Sequence, residues 1–346
     1  MKKITALLIA FCLVFSLTAC SGGGDAPEAN TDASAPDAGL KKVTVCLDYT
    51  PNTNHTGLFV AQSLGYYAEK GLDVTIIQPP EDGAVAACAA GQAQFAVDFQ
   101  DWLAAAFTSD APIGITAVAA LCAHNTSGIM SLKGQGMDRP GGLEGNAYLT
   151  WNSPIELAMV KNVVEGDGGD YGKVTIIPNT VTDEAADVTA NPDHAIWVYS
   201  GWGLVNARIK GVETDYFSFR DINPVFDYYT PVLVANNGLI ENDPQLVRDF
   251  LAATAKGYEY AVNEPEEAAR ILIASDTTRS LDGSEQLVTE SQKELSAAYI
   301  DDSPYWGYID AGRWDAFYDW LSENGLVEKQ IPHGTGFTND FLPGNG

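Results

Sequence analysis

The sequence predicts a protein with two α/β lobes. Its 346 residues exceed what one hydrophobic core usually organises, so two lobes or domains are the expected arrangement. The composition, 46% hydrophobic with 19% charged residues, is that of a folded globular chain rather than a disordered one. After residue 40, strand-like and helix-like segments alternate, which is the pattern of parallel sheets covered by helices.

The first lobe is predicted to begin with a strand at 43–47 and a helix at 57–69, which Gly71 closes. The same alternation continues to residue 122. Further strands are predicted at 72–78, 95–99 and 113–122, and further helices at 84–90 and 102–107.

An extended stretch at 129–132 is predicted to cross to the second lobe. There, Ser153 at N-cap, Pro154 at N1 and Glu156 at N3 predict the start of a helix that runs to Glu165. The remaining segments are strands at 173–177, 195–199 and 216–219, helices at 184–188 and 203–210, a return strand at 231–235, and C-terminal helices that include 285–298 and 311–324. The predicted lobes are therefore 41–128 with 236–346, and 129–235.

The N-terminus predicts export and lipid anchoring. Lys2 and Lys3 precede an apolar run at 4–17, and small residues follow, so residues 1–19 are predicted to be a signal peptide. Cys20 ends a lipobox-like sequence and is predicted to carry a diacylglycerol; the alternative is an ordinary secretory signal with an incidental cysteine. Residues 20–40 are predicted to be a lipidated, flexible tether, because Gly, Ala, Ser, Asp and Pro cannot bury enough surface to fold.

The charge balance excludes several classes of partner. The 19 basic and 46 acidic side chains give a net charge of −27. Nucleic acid and anionic headgroups both need basic patches, so we expect no nucleic-acid partner and contact with the membrane through the lipid anchor only. Three cysteines remain in the folded part, Cys46, Cys88 and Cys122, and an odd number leaves at least one free thiol. The sequence leaves open whether two of them pair.

Signatures of catalysis are absent from the sequence. It contains no phosphate loop, no HExxH motif, no GxSxG elbow and no dinucleotide-binding GxGxxG motif. Its four histidines show no helical metal spacing. We therefore expect no cofactor, no metal and no enzymatic activity.

Polar and aromatic residues follow several predicted strands, where open α/β sheets bind ligands. We predict that the ligand-binding residues are Asp48, Tyr49, Asn52, His55, Thr56, Gln100, Asp101, His124, Asn125, Trp151, Glu156, Trp197, Tyr199, Trp202 and Tyr228. Aromatic faces hold a planar heteroaromatic ring, and amides and carboxylates read its nitrogens. These loops contain no Lys or Arg, which favours a neutral or cationic solute over an oxyanion.

Each of these residues also has a purely structural alternative. Asn52 can serve only a turn, and Glu156 can serve only the capping box. His124 can be an ordinary structural histidine, and the tryptophans can belong to the core.

Residues 48–57, DYTPNTNHTG, closely resemble the DWTPNTNHTG opening of bacterial lipoproteins that bind thiamin pyrimidine precursors for ABC importers. The resemblance covers most of 41–343, including the WNSPIE sequence from Trp151 and the DYYTPVL sequence from Asp227. It implies a type II periplasmic-binding-protein fold with ligand in the cleft between two lobes joined by two crossing strands. It also implies that Tyr49 stacks on a pyrimidine such as hydroxymethylpyrimidine or formylaminopyrimidine.

The same resemblance implies an ABC permease and a separate ATPase subunit as partners, and a monomer anchored at the outer face of the cytoplasmic membrane. Closure of a hinge around the solute is the expected mechanism. The alternatives are another solute on this fold, such as a riboflavin-like, nucleobase-like or alkylsulfonate compound, or an extracytoplasmic pyrimidine-related enzyme. Fungal pyrimidine synthases share the fold, but at the end of the third strand, where they carry a cofactor lysine, this chain has Asp98, Phe99 and Gln100.

Overall fold

A computed structural model describes residues 39–111 and 113–345. The predicted signal peptide, Cys20 and most of the predicted tether lie outside these residues. The strands of the described part are β1 (Lys41–Cys46), β2 (Leu72–Ile77), β3 (Phe95–Asp98), β4 (Ile115–Ala120), β5 (Ser127–Leu132), β6 (Ala147–Thr150), β7 (Thr175–Pro178), β8 (His194–Tyr199), β9 (Thr214–Ser218) and β10 (Val232–Asn236).

The strands form two mixed sheets of five strands each. The first sheet has the order β2-β1-β3-β10-β4, and β10 runs antiparallel to both of its neighbours. The second has the order β7-β6-β8-β5-β9, and β5 runs antiparallel to both of its neighbours. Each sheet thus receives one reversed strand directly after the chain crosses from the other sheet, so the two sheets are joined by two crossing segments.

Helices cover the sheets. They are α1 (Thr56–Ser63), α2 (Tyr66–Glu69), α3 (Ala84–Ala89), α4 (Gln100–Thr108), α5 (Pro154–Gly166), α6 (Glu184–Ala190), α7 (Val205–Ile209), α8 (Phe219–Ile222), α9 (Asn237–Asn242), α10 (Pro244–Asn263), α11 (Pro265–Ser275), α12 (Glu285–Ala298) and α13 (Ala311–Glu323). No helix in the described ranges is long and apolar enough to span a bilayer.

The structure differs from the predicted elements in four places. The helix predicted at 57–69 is divided into α1 and α2, because Gly65 between them has a φ of +78°. The stretch at 129–132 is part of β5, an internal strand of the second sheet. The strand β6 was not predicted, because it is only four residues long and lies between a glycine-rich loop and the start of a helix. A π-helical turn (Ser200–Leu204) precedes α7.

The return strand bears on the predicted lobe boundaries. β10 pairs with β3 and β4 of the first sheet, whereas a boundary at 235/236 assigns most of it to the second lobe. The pairing places the second crossing between β9 and β10. The C-terminal helices also reach across: α12 packs against α7, and α13 packs against the 3-10 turn Pro224–Phe226.

Close packing of α1 against α10 fixes the outer layer of the first lobe. Gly57 of α1 lies directly against the ring of Tyr258, and Gly257 of α10 lies against the backbone of Gly57. Tyr258 in turn stacks on Trp306 with a centroid distance of 4.5 Å. The two glycines let the helices approach more closely than side chains would permit.

We therefore expect Gly57→Ala to lower the free energy of unfolding by about 1–3 kcal/mol, because the added methyl group would overlap the Tyr258 ring. Urea unfolding of the mature protein measures this. Gly166→Ala is the matched control, since Gly166 is exposed and a methyl group there meets open space. Equal stabilities of the two variants would contradict this account of the α1–α10 contact.

Candidate functional site

A cavity of about 830 Å³ lies where the carboxyl ends of strands from both sheets meet. The first sheet contributes the segments after β1 and β3, and the second contributes those after β6 and β8. Further lining residues come from α3, α4, the π-helical turn and the segment before α12. Binding at the carboxyl ends of strands is the general rule for open α/β sheets.

Three aromatic side chains at this cavity are unusually exposed. Tyr49 is 67% exposed, Trp102 is 65% exposed and Trp151 is 55% exposed, and all three line the cavity. Tyr49 and Trp102 belong to the first lobe and Trp151 to the second. Large aromatic side chains that meet solvent in a cleft offer faces on which a planar solute can stack.

Behind these exposed rings lies a second group of aromatic side chains. Trp197 is only 5% exposed and packs on Phe219 with a centroid distance of 4.1 Å, and its ring lies 6.1 Å from that of Trp151. Tyr199 of the second lobe stacks on Phe99 of the first at 6.3 Å. This last contact joins the two lobes at the base of the cavity.

The loop after β1 is held by its own hydrogen bonds. Asn52 caps the 3-10 turn Thr53–His55: its Oδ1 accepts from the backbone N–H of Asn54 at 2.9 Å. Its backbone N–H donates to His55 Nδ1 at 3.3 Å, so Nδ1 is an acceptor and Nε2 carries the ring proton. His55 Nε2 then donates to Asp48 Oδ1 at 2.6 Å. Asp48 is thus held at the cavity wall by a buried imidazole.

The loop after β6 is organised around a buried carboxylate. Glu156 accepts from the hydroxyls of Tyr148 and Thr150 at 2.6 and 2.9 Å and from the backbone N–H groups of Trp151 and Ser153, each at 3.2 Å. Asn152 has a φ of +64°, a left-handed conformation that the surrounding hydrogen bonds must hold. The Glu156 carboxylate therefore fixes the turn from which Trp151 projects.

Seven of the predicted ligand-binding residues line the cavity. They are Asp48, Tyr49, Asn52, Trp151, Trp197, Tyr199 and Trp202. Their direct contact with a solute stays a prediction.

The other eight lie outside the lining, and four of them are structural. Glu156 holds the Trp151 turn, and His55 holds Asp48. Thr56 donates to Gln292 of α12 at 2.5 Å, and Tyr228 is buried in a stack on Phe317 at 4.2 Å.

Gln100 and Asp101 also lie outside the cavity lining. Gln100 is fully buried, donates to the backbone oxygen of Trp314 at 2.9 Å and accepts from the backbone N–H of Tyr229 at 2.9 Å. Burial raises the pKa of Asp101 to about 7, although backbone N–H groups at the start of α4 oppose the shift. Both residues belong to the first turn of α4, which begins two residues after the end of β3.

His124 and Asn125 lie at the crossings between the lobes. His124 Nδ1 is 2.6 Å from Asp227 Oδ2, and its Nε2 is 2.8 Å from Asp302 Oδ1. The hydrogen bond with Asp227 is the main cause of a raised pKa for His124. Asn125 donates its backbone N–H to Asp227 Oδ1 and its side-chain amide to the backbone oxygen of Phe226. These contacts connect the first crossing segment to the second.

Sequence reasoning missed several lining residues. Asp98 and Trp102 line the cavity, whereas Gln100 and Asp101, the residues predicted from the same strand end, do not. Strand alternation supplies no signal here, since the successive residues Val97, Asp98 and Phe99 all line the cavity. Other lining residues, such as Asp82, Glu184 and Ser284, come from loops and helix starts that also carry no such signal.

The cavity is electrostatically negative. Asp48, Asp82, Asp98 and Glu184 line it, and none of its lining residues is Lys, Arg or His. Burial, together with Asp101 and Asp48, raises the pKa of Asp98 to about 7, and the hydrogen bond from the Phe99 N–H only partly opposes this. Within the described ranges, no group of His, Cys, Asp and Glu has the arrangement of a metal site.

The chain matches a known family and several known proteins. The sequence profile of the family described as "NMT1/THI5 like" matches residues 52–268. A formylaminopyrimidine-binding protein from Halalkalibacterium halodurans is 29% identical over 336 residues, covering 95% of this chain and 96% of that protein. The riboflavin-binding protein RibY from Chloroflexus aurantiacus is 26% identical over 371 aligned positions, covering 99% of both.

The fold is also that of known structures. The periplasmic nitrate-binding protein NrtA from Synechocystis PCC 6803 matches with a TM-score of 0.63 at 13% identity, covering 87% of each chain. This likeness, with the two five-stranded sheets, confirms the predicted type II periplasmic-binding-protein fold.

The four donors around Glu156 predict a large effect of its replacement. We expect Glu156→Gln to lower the free energy of unfolding by about 1.5–3 kcal/mol, because an amide presents one acceptor oxygen where the carboxylate presents two. Glu165→Gln on the same helix is the control, since Glu165 makes only an exposed contact of 3.9 Å with Lys161. Urea unfolding of both variants compares them, and a neutral Glu156→Gln would contradict the role of this carboxylate.

Proposed function

The chain belongs to the NMT1/THI5-like family, and on that premise we propose that it captures a small heteroaromatic solute for an ABC importer. The proposed solute is a thiamin pyrimidine precursor of the hydroxymethylpyrimidine or formylaminopyrimidine type. The observation that carries the proposal is a cavity with exposed aromatic rings from both lobes, acidic side chains and no basic side chain in its lining.

Tyr49 and Trp151 are proposed to stack on the ring of the solute from the two lobes. Stacking on an aromatic side chain contributes about 1–3 kcal/mol per base-like ring. Asp48, Asn52 and the neighbouring polar groups are proposed to read its nitrogens and exocyclic groups. Since the lining has no Lys or Arg, an oxyanion lacks its usual partners there.

Capture is proposed to occur by closure of the two lobes about their crossings. A solute that contacts Tyr49 on one lobe and Trp151 on the other stabilises the closed state. The stabilisation equals the free energy of those contacts that form only when the lobes are closed. The predicted lobes, 41–128 with 236–346 and 129–235, remain part of this proposal, with β10 moved to the first lobe. No bond of the solute is broken, and the chain is proposed to act as a monomer without cofactor.

The partners are proposed from the same premise. A permease and a separate ATPase subunit would receive the solute, since the sequence has no phosphate loop of its own. Cys20 is proposed to carry the lipid that anchors the protein to the outer face of the cytoplasmic membrane.

A larger solute is the second candidate. A cavity of about 830 Å³ lies towards the upper end of the roughly 300–1,000 Å³ found for sites of drug-sized ligands, so it has room for a three-ring flavin. The match to a riboflavin-binding protein over 99% of the chain favours the same candidate. A thermal-shift panel of aminopyrimidines, thiamin, flavins, nucleobases and sulfonates separates the candidates, because ligand bound to the native state raises its melting temperature.

We expect a selective shift with hydroxymethylpyrimidine or formylaminopyrimidine. Tyr49→Ala should weaken that binding about five- to a hundredfold, by the loss of one stacking face, whereas Tyr49→Trp should retain it. Ile222→Ala is the control, since Ile222 is exposed outside the cavity. A shift with flavins alone would replace the pyrimidine by the second candidate, and turnover of any compound would overturn the binding role.

The lipid anchor has its own test. We expect Cys20→Ala to abolish lipidation and release the protein from the membrane fraction, because two acyl chains are what hold such a protein stably on a bilayer. Cell fractionation with immunodetection measures this, and Cys12→Ala within the predicted signal peptide is the control. Retention of the Cys20→Ala protein on membranes would contradict the anchor.

A further inference from the structure

Two carboxyl groups stand side by side on the first-lobe wall of the cavity. β1 and β3 are parallel neighbours in which Cys46 pairs with Ala96. Asp48 and Asp98 each come two residues after this pair, so both lie at the carboxyl edge of these two neighbouring strands. Both line the cavity, and Asp48 is close enough to act on the ionisation of Asp98.

Each of the two carboxyl groups accepts one hydrogen bond at Oδ1, but from a different kind of donor. Asp48 Oδ1 accepts the Nε2–H of His55 at 2.6 Å, which holds Asp48 as an acceptor. Asp98 Oδ1 accepts only the backbone N–H of Phe99 at 2.7 Å. Among the described residues, nothing donates to Oδ2 of either carboxyl group. Asp98 therefore presents one oxygen to the cavity with no partner in the protein.

The charges around Asp98 favour its neutral form. Asp48 lies beside it on the strand-end edge, Asp101 lies three residues further along the chain in α4, and Tyr318 of α13 donates its hydroxyl to the backbone oxygen of Gln100. His55 is occupied by Asp48, and no lysine or arginine lines the cavity. A partly buried carboxyl group among other acids keeps its proton more readily than one in water, and burial is the main cause of the raised pKa of about 7.

We propose that Asp98 binds the solute as a neutral carboxylic acid: Oδ2 donates its O–H to a ring nitrogen, and Oδ1, which has a second lone pair besides the one facing the Phe99 N–H, accepts an N–H from an amino group on the adjacent carbon. The inference rests on the proposed function and deepens it by naming the recognised edge. The solutes selected are heteroaromatic rings with an amino group next to a ring nitrogen. Asp98 is then the specificity-determining residue, and Tyr49 and Trp151 supply stacking that any flat ring can use.

In this arrangement, the affinity for the solute depends on whether the Asp98 carboxyl group carries its proton. Below pH 7 the Asp98 carboxyl group is mostly protonated and can donate, so affinity is at its plateau. As the pH rises above 7, the ionised form turns an acceptor toward the lone pair of the ring nitrogen, and affinity falls by up to tenfold for each pH unit. An asparagine side chain has the shape of the neutral acid, donates and accepts in the same way, and does not titrate.

The test is calorimetric titration of the mature protein with 4-amino-5-hydroxymethyl-2-methylpyrimidine at pH 6.5, 7.5, 8.5 and 9.0. We expect the wild type to lose about ten- to a hundredfold in affinity between pH 6.5 and 9.0. Asp98→Asn should bind within about threefold of the wild type at pH 6.5 and show a flat profile. Asp98→Ala should bind at least tenfold more weakly at every pH. Asp73→Asn, which removes an exposed acid on β2 outside the cavity, should follow the wild type.

The outcomes separate this inference from the proposed function. A wild-type profile that stays flat, or an Asp98→Asn variant as weak as Asp98→Ala, overturns the role of Asp98 while the pyrimidine still binds. A pH dependence that persists in Asp98→Asn assigns the titration to the pyrimidine or another group and also overturns it. If the wild type fails to bind this compound at any pH, the proposed function fails and this inference fails with it.

Discussion

The ion pair between Arg313 and Asp227 ties together the segments on which the geometry of the cavity depends. Arg313 Nη1 lies 2.7 Å from Asp227 Oδ2, its Nη2 donates to the backbone oxygen of Ala123 at 2.7 Å, and its guanidinium stacks on Tyr229 at 4.1 Å. Helix α13 is thereby fastened to both crossings between the lobes. Burial alone would raise the pKa of Asp227, but the hydrogen bonds from His124 and Arg313 lower it overall. A partly buried carboxylate with this many donors stays ionised and keeps its partners in place.

Beyond these crossings, each lobe has a loop at the cavity in which a carboxylate accepts hydrogen bonds. In the first lobe Asp48 is held by His55, and the loop is further fixed where the Tyr258 hydroxyl donates to the backbone oxygen of Asn54 at 2.6 Å. In the second lobe the Glu156 carboxylate gathers four donors and sets the turn before Trp151. Tyr49 and Trp151 thus project from turns that hydrogen bonds hold, so little conformational entropy would be lost if the proposed solute bound between them.

The acidic residues of the cavity do not all act alike. Asp48 accepts a hydrogen bond from an imidazole, whereas Asp98 accepts one from a backbone N–H. Each has an Oδ2 without a donor among the described residues, and the Oδ2 of Asp98 is the one proposed to meet the solute. The absence of basic side chains from the lining leaves this oxygen without a competing partner. Stacking surfaces bind flat rings in general, so discrimination among rings has to come from directional hydrogen bonds at the edge of the cavity.

Local signals in the sequence determined much of this protein. Ser153, Pro154 and Glu156 lie within four residues of each other, so their capping box was readable before any fold was known. The alternation of strands and helices predicted both lobes, and the strand-end rule together with the DYTPNTNHTG resemblance placed Asp48, Tyr49 and Asn52 at the cavity.

Only the tertiary structure decided which strand-end residues turn inward. His124 meets Asp302 and Arg313 across separations of 178 and 189 residues, and Gln100 meets Trp314 across 214. Such partners arise from packing between distant segments, which no local pattern encodes. For the same reason the sequence could not distinguish Asp98, which lines the cavity, from Asp101, which does not.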